Sequence, residues 1–377
     1  MKKHHITRIL LFSIYFTLYI LHLSASEPYD TEEYYDTGLY QSASVLVMCA
    51  ETGEIVYETE GFALRYPASI TKVMTALLVM EHVENLEEQV VLSAHAIDIP
   101  YYASRLWMHE GEAITVLEAL YGIMLPSGNE VARALAEHVS ESVPAFVERM
   151  NQRARELGAN NTNFVNPCGL PGDGQYVTAY DVALIMRAAT QHPIFIEIIS
   201  TEYFELPPTN RYGNPRLLRN TNRLIRPDES VYNPYVIGGK TGFTNAAQHT
   251  LVSYVRKGSQ GLIISVLYAP RGATFIDTTT LMDYAFEILA EAELERQATK
   301  HEALLAAELA RLELEKYEYA YEPEPPLSQE YEQYDDVTDR NTFLIAAVSL
   351  ITVILGLLAV RMYLRRRNRR RRGYRYY

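Results

Sequence analysis

In this 377-residue chain, a hydroxyl and an amine stand three residues apart, Ser69 and Lys72, in the stretch Pro67-Ala68-Ser69-Ile70-Thr71-Lys72. A serine hydroxyl is a poor nucleophile until something takes its proton, and a lysine three residues on can do so only if its amine is partly neutral. Burial penalises the ammonium form, and a second cation nearby penalises it further. Two later motifs meet those demands. Ser127-Gly128-Asn129 follows Pro126 after a helix and can project a hydroxyl and an amide into a cleft. Lys240-Thr241-Gly242 closes a strand-like run beginning at Val236, where a sheet edge can present a second cation, a hydroxyl and backbone amides. Each motif alone is common; the information is in all three together.

The elements that must position these groups follow from periodicity. Residues 68–80 contain no Gly or Pro and place Val73, Ala76, Leu77 and Met80 at helical spacing, which predicts a buried helix with Ser69 and Lys72 in its first turn and on one face. Before it, residues 44–49 and 55–58 form two strands around a turn with Gly53, a position expected to take a positive backbone angle. After it come helices over residues 117–124, 130–139, 144–157 and 179–190, the third closed by Gly158 and the fourth opened by Thr178. Tyr101, Tyr102 and Trp107 fall in a stretch that fits an exposed loop over a cleft, and residues 166–172 are a Gly/Pro-dense loop. Residues 192–230 are expected to mix short strands with turns, and strands return at 236–239, 250–256 and 262–267. Strands that open and close the domain with helices between them predict an α+β fold, with an antiparallel sheet assembled from both ends of the chain, flanking helices and a mainly helical subdomain.

Composition and charge set the outer frame. The net charge is −13, but the basic residues concentrate at the two ends, leaving the middle at about −25, which argues against a nucleic-acid partner. Residues 1–26 carry a basic opening, an apolar run and the small-residue site Ser24-Ala25-Ser26, the pattern of a secretory signal with cleavage expected after Ser26; an uncleaved anchor is the alternative. Residues 27–43 are an acidic leader. Residues 291–316 are expected to be a helical stalk, in which Leu305, Leu309 and Leu312 make a narrow apolar stripe, and residues 317–342 an acidic, Pro- and Tyr-rich spacer. Residues 343–360 are uncharged and apolar, about 27 Å long as a helix, enough for a bilayer core. The arginines of residues 361–377 then place that end in the cytoplasm and the body outside, in a single-pass arrangement. Only Cys49 and Cys168 occur, so no disulfide framework is expected, although one bridge between them remains open. The scattered histidines and cysteines form no metal-ligand pattern.

The three motifs, in this order on helix, loop and strand, resemble those of the active-site serine penicillin-binding enzymes. Tyr66-Pro67-Ala68-Ser69-Ile70-Thr71-Lys72, Leu125-Pro126-Ser127-Gly128-Asn129 and Gly239-Lys240-Thr241-Gly242-Phe243-Thr244 are similar to the low-molecular-mass serine D-alanyl-D-alanine carboxypeptidases, over a catalytic domain of residues 44–290. The resemblance implies a penicillin-binding, serine β-lactamase-like fold and no cofactor. It implies that Ser69 attacks the carbonyl between the last two D-alanines of a peptidoglycan stem peptide while Lys72 takes its proton. Ser127 would pass a proton to the departing amine, Asn129 would hold the substrate amide and the lysine, and Lys240 would keep the site positive. Thr241 would bind the terminal carboxylate in the Lys240-Thr241-Gly242 strand, and the amides of Ser69 and Phe243 would form the oxyanion hole. β-Lactams would acylate Ser69. Two departures stand out: Gln175 occupies a position that is histidine in many relatives, and Thr274 lies where many carry a basic, carboxylate-binding residue, a role Arg271 can take. The alternative reading is a penicillin-binding sensor or scaffold that acylates without turnover. A β-lactamase is disfavoured, because residues 161–176 offer no glutamate in a matching motif.

Overall fold

The structure, a computed structural model, describes residues 40–319. The predicted signal, the leader up to residue 39, the spacer from residue 320, the apolar span 343–360 and the arginine tail lie outside the described residues. The chain divides into two units, Asp36–Arg311 and Met1–Tyr35 with Leu312–Tyr377. Everything said below of packing and of the site belongs to the first.

Strand β1 (Ser44–Cys49) and β2 (Ile55–Thr59) form the predicted hairpin, with Gly53 at φ +78° in the turn. The nucleophile segment departs from the expected single helix: Ala68–Thr71 is a 3₁₀ turn and α1 runs from Lys72 to His82. Side chains three apart eclipse in 3₁₀ geometry, so this tighter turn aligns Ser69 with Lys72 more directly than an α-helical turn would. Helix α1 is buried on all sides from Lys72 to Val79, which explains why its sequence shows so little polar face. Each of its fully buried Leu, Val and Met side chains contributes about 1.5–3 kcal/mol.

The chain continues through β3 (Gln89–Val91), α2 (Ala94–Ile97), β4 (Ala113–Thr115), α3 (Val116–Met124), α4 (Asn129–Ser140), α5 (Val143–Glu156) and α6 (Ala179–Ala189). Thr115 and Glu118 form a reciprocal capping box at the start of α3, and the Thr178 hydroxyl accepts from Asp181 N at the start of α6. Residues 193–200, expected to be strand and turn, instead form helix α7 (Pro193–Ser200). Its β-branched run mimics a strand, but Pro193 sits at the first helical position and sets the entry. The small ribbon β5 (Tyr203–Leu206) and β6 (Arg216–Arg219) follows, then β7 (Val236–Thr244), β8 (Gln248–Lys257), β9 (Gln260–Ala269) and α8 (Ala273–Tyr319).

The main sheet has the order β2-β1-β9-β8-β7, antiparallel throughout, so the first strands of the chain pair with its last, as expected. Alternate residues of β1 face opposite ways: Leu46 and Met48 join the core shared with α1, α4 and α6, while Val45 and Val47 pack with Leu281, Met282 and Phe286 of α8. The sheet is therefore covered on both faces, and its inner strands read as near-continuous apolar runs. Asp277 of α8 ties the entry to β1, accepting from Gln41 N, Ser42 N and the Ser42 hydroxyl. Helix α8 runs unbroken through residues 290 and 291; Leu305, Leu309 and Leu312 are exposed along it. Cys49 and Cys168 are both free thiols, Cys168 buried and Cys49 partly exposed. Among the described residues, no single helix is long and apolar enough to cross a membrane.

Candidate active site

The site forms where the 3₁₀ turn, the start of α4 and the edge strand β7 meet. Lys72 is fully buried, and its ammonium donates to Ser69 Oγ at 3.1 Å, Asn129 Oδ1 at 2.8 Å and the Cys168 carbonyl at 2.7 Å. Burial, the largest influence, pushes its pKa down to about 8, with Cys168 and the neighbouring Glu130 pulling the other way. Its place at the first position of α1 also sets the cation against the positive end of the helix. The amine that the sequence nominated as a base is thus poised within reach of the nucleophile and close to neutrality.

Three backbone features build this pocket. Ala68, directly before the nucleophile, and Ser127 both adopt the left-handed region, with φ +50° and +73°, conformations that non-glycine residues hold only when their surroundings enforce them. Gly169 also has a positive φ of +84°, and a Cβ there would strike the Ala68 carbonyl, so only glycine lets the 166–172 loop lie under the nucleophile. Gly242 of β7 is equally constrained: a Cβ would lie 2.8 Å from Ser69 N and would strike the Thr250 hydroxyl. The third motif is in this way brought against the first.

Ser127 is buried, and its hydroxyl has no hydrogen-bond partner among the described residues. Asn129, two residues on, opens α4, but its side chain does not cap the helix. It accepts from Lys72 and donates to the Ser104 carbonyl at 2.8 Å, while its backbone N–H reaches that same carbonyl at 3.0 Å. On the sheet side, Lys240 is fully buried and donates to the Thr241 carbonyl at 3.0 Å. Its pKa is held well below the usual lysine range, by burial first and by the charge of Lys72 second. The motif lies inside β7, which continues to Thr244, and does not end the strand as expected; β7 is, however, the edge of the sheet. Phe243 is exposed, and its ring packs on His249 with centroids 4.5 Å apart. His249 is pushed down in pKa by burial and then by Arg271. Arg271, exposed in the turn before α8, therefore acts on the Phe243 side of the site, whereas Thr274 is buried.

Several further residues support the site. Thr221 bridges the second and third motifs: its hydroxyl lies 2.6 Å from that of Thr241 and 3.2 Å from the Leu125 carbonyl, which also accepts from Thr221 N. The Ser104 and Cys168 carbonyls hold Asn129 and Lys72, and a carbonyl acting as acceptor leaves no trace in residue type. Gln175 is a structural residue here, accepting from Val165 N at 2.9 Å and donating to the Thr71 hydroxyl at 3.5 Å.

The sequence matches the D-alanyl-D-alanine carboxypeptidase family, peptidase S11, over residues 32–271. It is 33% identical over 255 residues to the D-alanyl-D-alanine carboxypeptidase DacF of Bacillus subtilis, covering 66% of this chain and 62% of that protein. To DacB2 of Mycobacterium tuberculosis it is 31% identical over 255 residues, covering 66% of this chain and 84% of that one. Among solved structures, a Streptomyces DD-transpeptidase superposes with a TM-score of 0.62 at 29% identity, over 66% of this chain and 98% of that one. The fold of the described residues is thus the penicillin-binding one, and the chain belongs to the D-alanyl-D-alanine carboxypeptidase family.

Proposed function

We propose that the protein is a serine-type D-alanyl-D-alanine carboxypeptidase that trims the terminal D-alanine from peptidoglycan stem peptides through an acyl-enzyme on Ser69. The observation that carries this is the buried Lys72 amine 3.1 Å from the Ser69 hydroxyl with a pKa of about 8. At pH 7 about one molecule in ten then has a neutral amine ready to accept the hydroxyl proton. Ser69 Oγ bonds to the carbonyl carbon of the penultimate D-alanine, and the amides of Ser69 and Phe243 receive the developing oxyanion. The proton passes through Ser127 to the amine of the departing D-alanine as the C–N bond breaks. Ser127 suits that step because its hydroxyl is committed to no other group among the described residues. Water, deprotonated in the same way, then attacks the ester and frees Ser69.

The substrate's terminal carboxylate falls to Lys240 and Thr241, with Thr221 orienting the Thr241 hydroxyl and Arg271 adding positive potential from the Phe243 side. A carboxylate there returns to Lys240 the counter-charge it lacks and raises its pKa again. β-Lactams, which present the same acyl group, label Ser69. The chain is exported by residues 1–26 and held by residues 343–360 as a single-pass anchor, with the catalytic body outside and the arginine tail inside; composition and the charge asymmetry support this part.

The test is D-alanine release by the full chain from a synthetic peptide ending in two D-alanines, together with mass addition after penicillin treatment. The expected result is release and a single adduct at Ser69, both lost in Ser69→Ala. A folded protein that takes the penicillin adduct yet releases no D-alanine would refute the carboxypeptidase reading in favour of a sensor.

A further inference from the structure

Three consecutive residues at the entry to α4 hold one loop, residues 104–108. Gly128 leaves the space that the Leu106 side chain fills: a Cβ there would lie 2.4 Å from Leu106 Cδ1. Asn129 donates to the Ser104 carbonyl from both its backbone and its side chain. Glu130, 2% exposed, accepts from Leu106 N through Oε1 at 2.5 Å and takes a second backbone hydrogen bond from Met108 N. The first two belong to the Ser127-Gly128-Asn129 motif; Glu130 lies outside it.

A buried carboxylate is costly and persists where donors replace the water it loses. Here the donors are the amides on either side of Trp107, and that spacing accounts for a strained residue. Trp107 has φ +61° and an exposed ring, a conformation that a bulky non-glycine residue holds only where its surroundings enforce it. One carboxylate that draws in the amides before and after Trp107 bends the loop inward at both points and turns the ring out. The same loop supports the catalytic amide. The Ser104 carbonyl fixes Asn129, Asn129 Oδ1 accepts from Lys72, and Lys72 donates to Ser69. A chain of contacts thus runs from Glu130 through the loop to the base and the nucleophile.

Charge adds a second link. Glu130 favours the ammonium form of Lys72, opposing the burial that disfavours it. Burial pushes the carboxyl of Glu130 itself above the usual carboxylate range, against the pull of the Leu106 and Met108 amides and of the Arg105 charge. The charged and titratable groups around it are Lys72 of α1, Arg105 and His109 beside the cavity that Glu130 also lines, and Arg216 of β6, which is paired with Glu112.

We propose that Glu130 is a positioning residue for acylation: by clamping residues 104–108 onto the start of α4, it keeps the Ser104 carbonyl where Asn129 can hold Lys72 against Ser69. The proposal rests on the reading of Ser69 as nucleophile and Lys72 as base.

Two variants of the full chain separate reach from charge. Glu130→Asp keeps the charge and draws the acceptor back by one methylene; Glu130→Gln keeps the reach and an acceptor for Leu106 N but removes the charge. The rate of acylation by a fluorescent penicillin is measured from about pH 6 to about pH 10, across the titration of Lys72, with melting temperatures alongside. Glu130→Asp is expected to lower the plateau rate about tenfold or more, the loss of a charge-assisted hydrogen bond, without moving the rise near pH 8. Glu130→Gln is expected to keep the plateau within about threefold and to move the rise to lower pH, because the Lys72 ammonium has lost a favourable neighbour. A purely structural carboxylate would lower the melting temperature and leave plateau and rise in place. An unchanged plateau in Glu130→Asp, or an unmoved rise in Glu130→Gln, overturns the proposal. If Glu130→Asp does not fold, amide exchange of the wild type decides the clamp: the Leu106 and Met108 amides are expected to exchange about 100-fold or more slowly than in a free chain, and unprotected exchange of either overturns it. A folded wild type that takes no penicillin adduct refutes the catalytic reading and this one with it; a wild type that acylates while both variants match it refutes this one alone.

Discussion

The two fully buried lysines sit in regions built on different terms. Lys72, on the helical side, is caged by three oxygens that belong to three segments of the chain: Ser69, Asn129 and the Cys168 carbonyl. Lys240, on the edge strand, makes one hydrogen bond among the described residues, to the carbonyl of its own neighbour Thr241. In the first arrangement three acceptors fix the amine in place while burial brings its pKa down; in the second the amine is short of counter-charge, so that an arriving anion gains most. The same side chain thus serves as a nucleophile's base where its acceptors hold it against the hydroxyl, and as an anion's receptor where it lacks them.

Breaking the caged side has the largest expected effect. Lys72→Met should reduce penicillin acylation and D-alanine release by about 10²–10⁴-fold, the usual span for losing a general base, with the melting temperature showing that the fold persists. On the edge strand, Lys240→Met should lower kcat/KM for peptides by about 10- to 100-fold, the loss of one charge-assisted bond. An ester substrate without a terminal carboxylate should lose much less, and equal losses on the two substrates would contradict the receptor role.

The pH profile sharpens the contrast. The base must be neutral, so acylation should rise with pH and level off above about 8, the pKa of Lys72. Stability has a linked sign: the unfolded chain binds the Lys72 proton more tightly, so this group disfavours the fold below about pH 8. That penalty, about 3 kcal/mol, fades as pH rises from 8 towards 10.5. Denaturant titrations of the wild type and Lys72→Met at pH 7 and pH 10 should therefore converge at the higher value. The smallest effect is expected of Thr221→Val, which removes the hydroxyl beside Thr241 and should raise KM for peptides a few-fold, about 0.5–1.5 kcal/mol, with kcat nearly unchanged.

What the sequence made legible, and what it hid, follows the same division between side chains and backbone. The Ser69–Lys72 face, the hairpin ahead of it, the pairing of the first strands with the last and the edge position of Lys240 were all written in residue type and periodicity. The 3₁₀ turn at Ala68–Thr71 and the left-handed backbone of Ala68 and Ser127 were not, because neither residue type favours them; packing against Gly169 and β7 imposes them. The carbonyls of Ser104 and Cys168 are invisible for a simpler reason, since every residue has one. Helix α7 was hidden by its apolar, β-branched run, which tertiary packing folds against its local preference.

The sheet order carries a consequence for synthesis. Because β1 lies between β2 and β9, and β7 closes the far edge, a growing chain presents Ser69 long before it owns the strands that would arm it. A nascent fragment ending near residue 235 would display the hydroxyl and Lys72 with no Lys240 and no strand against Ser69. Reactivity is thereby postponed to about the last fifth of the catalytic domain, and pairings so distant in sequence make that completion slow.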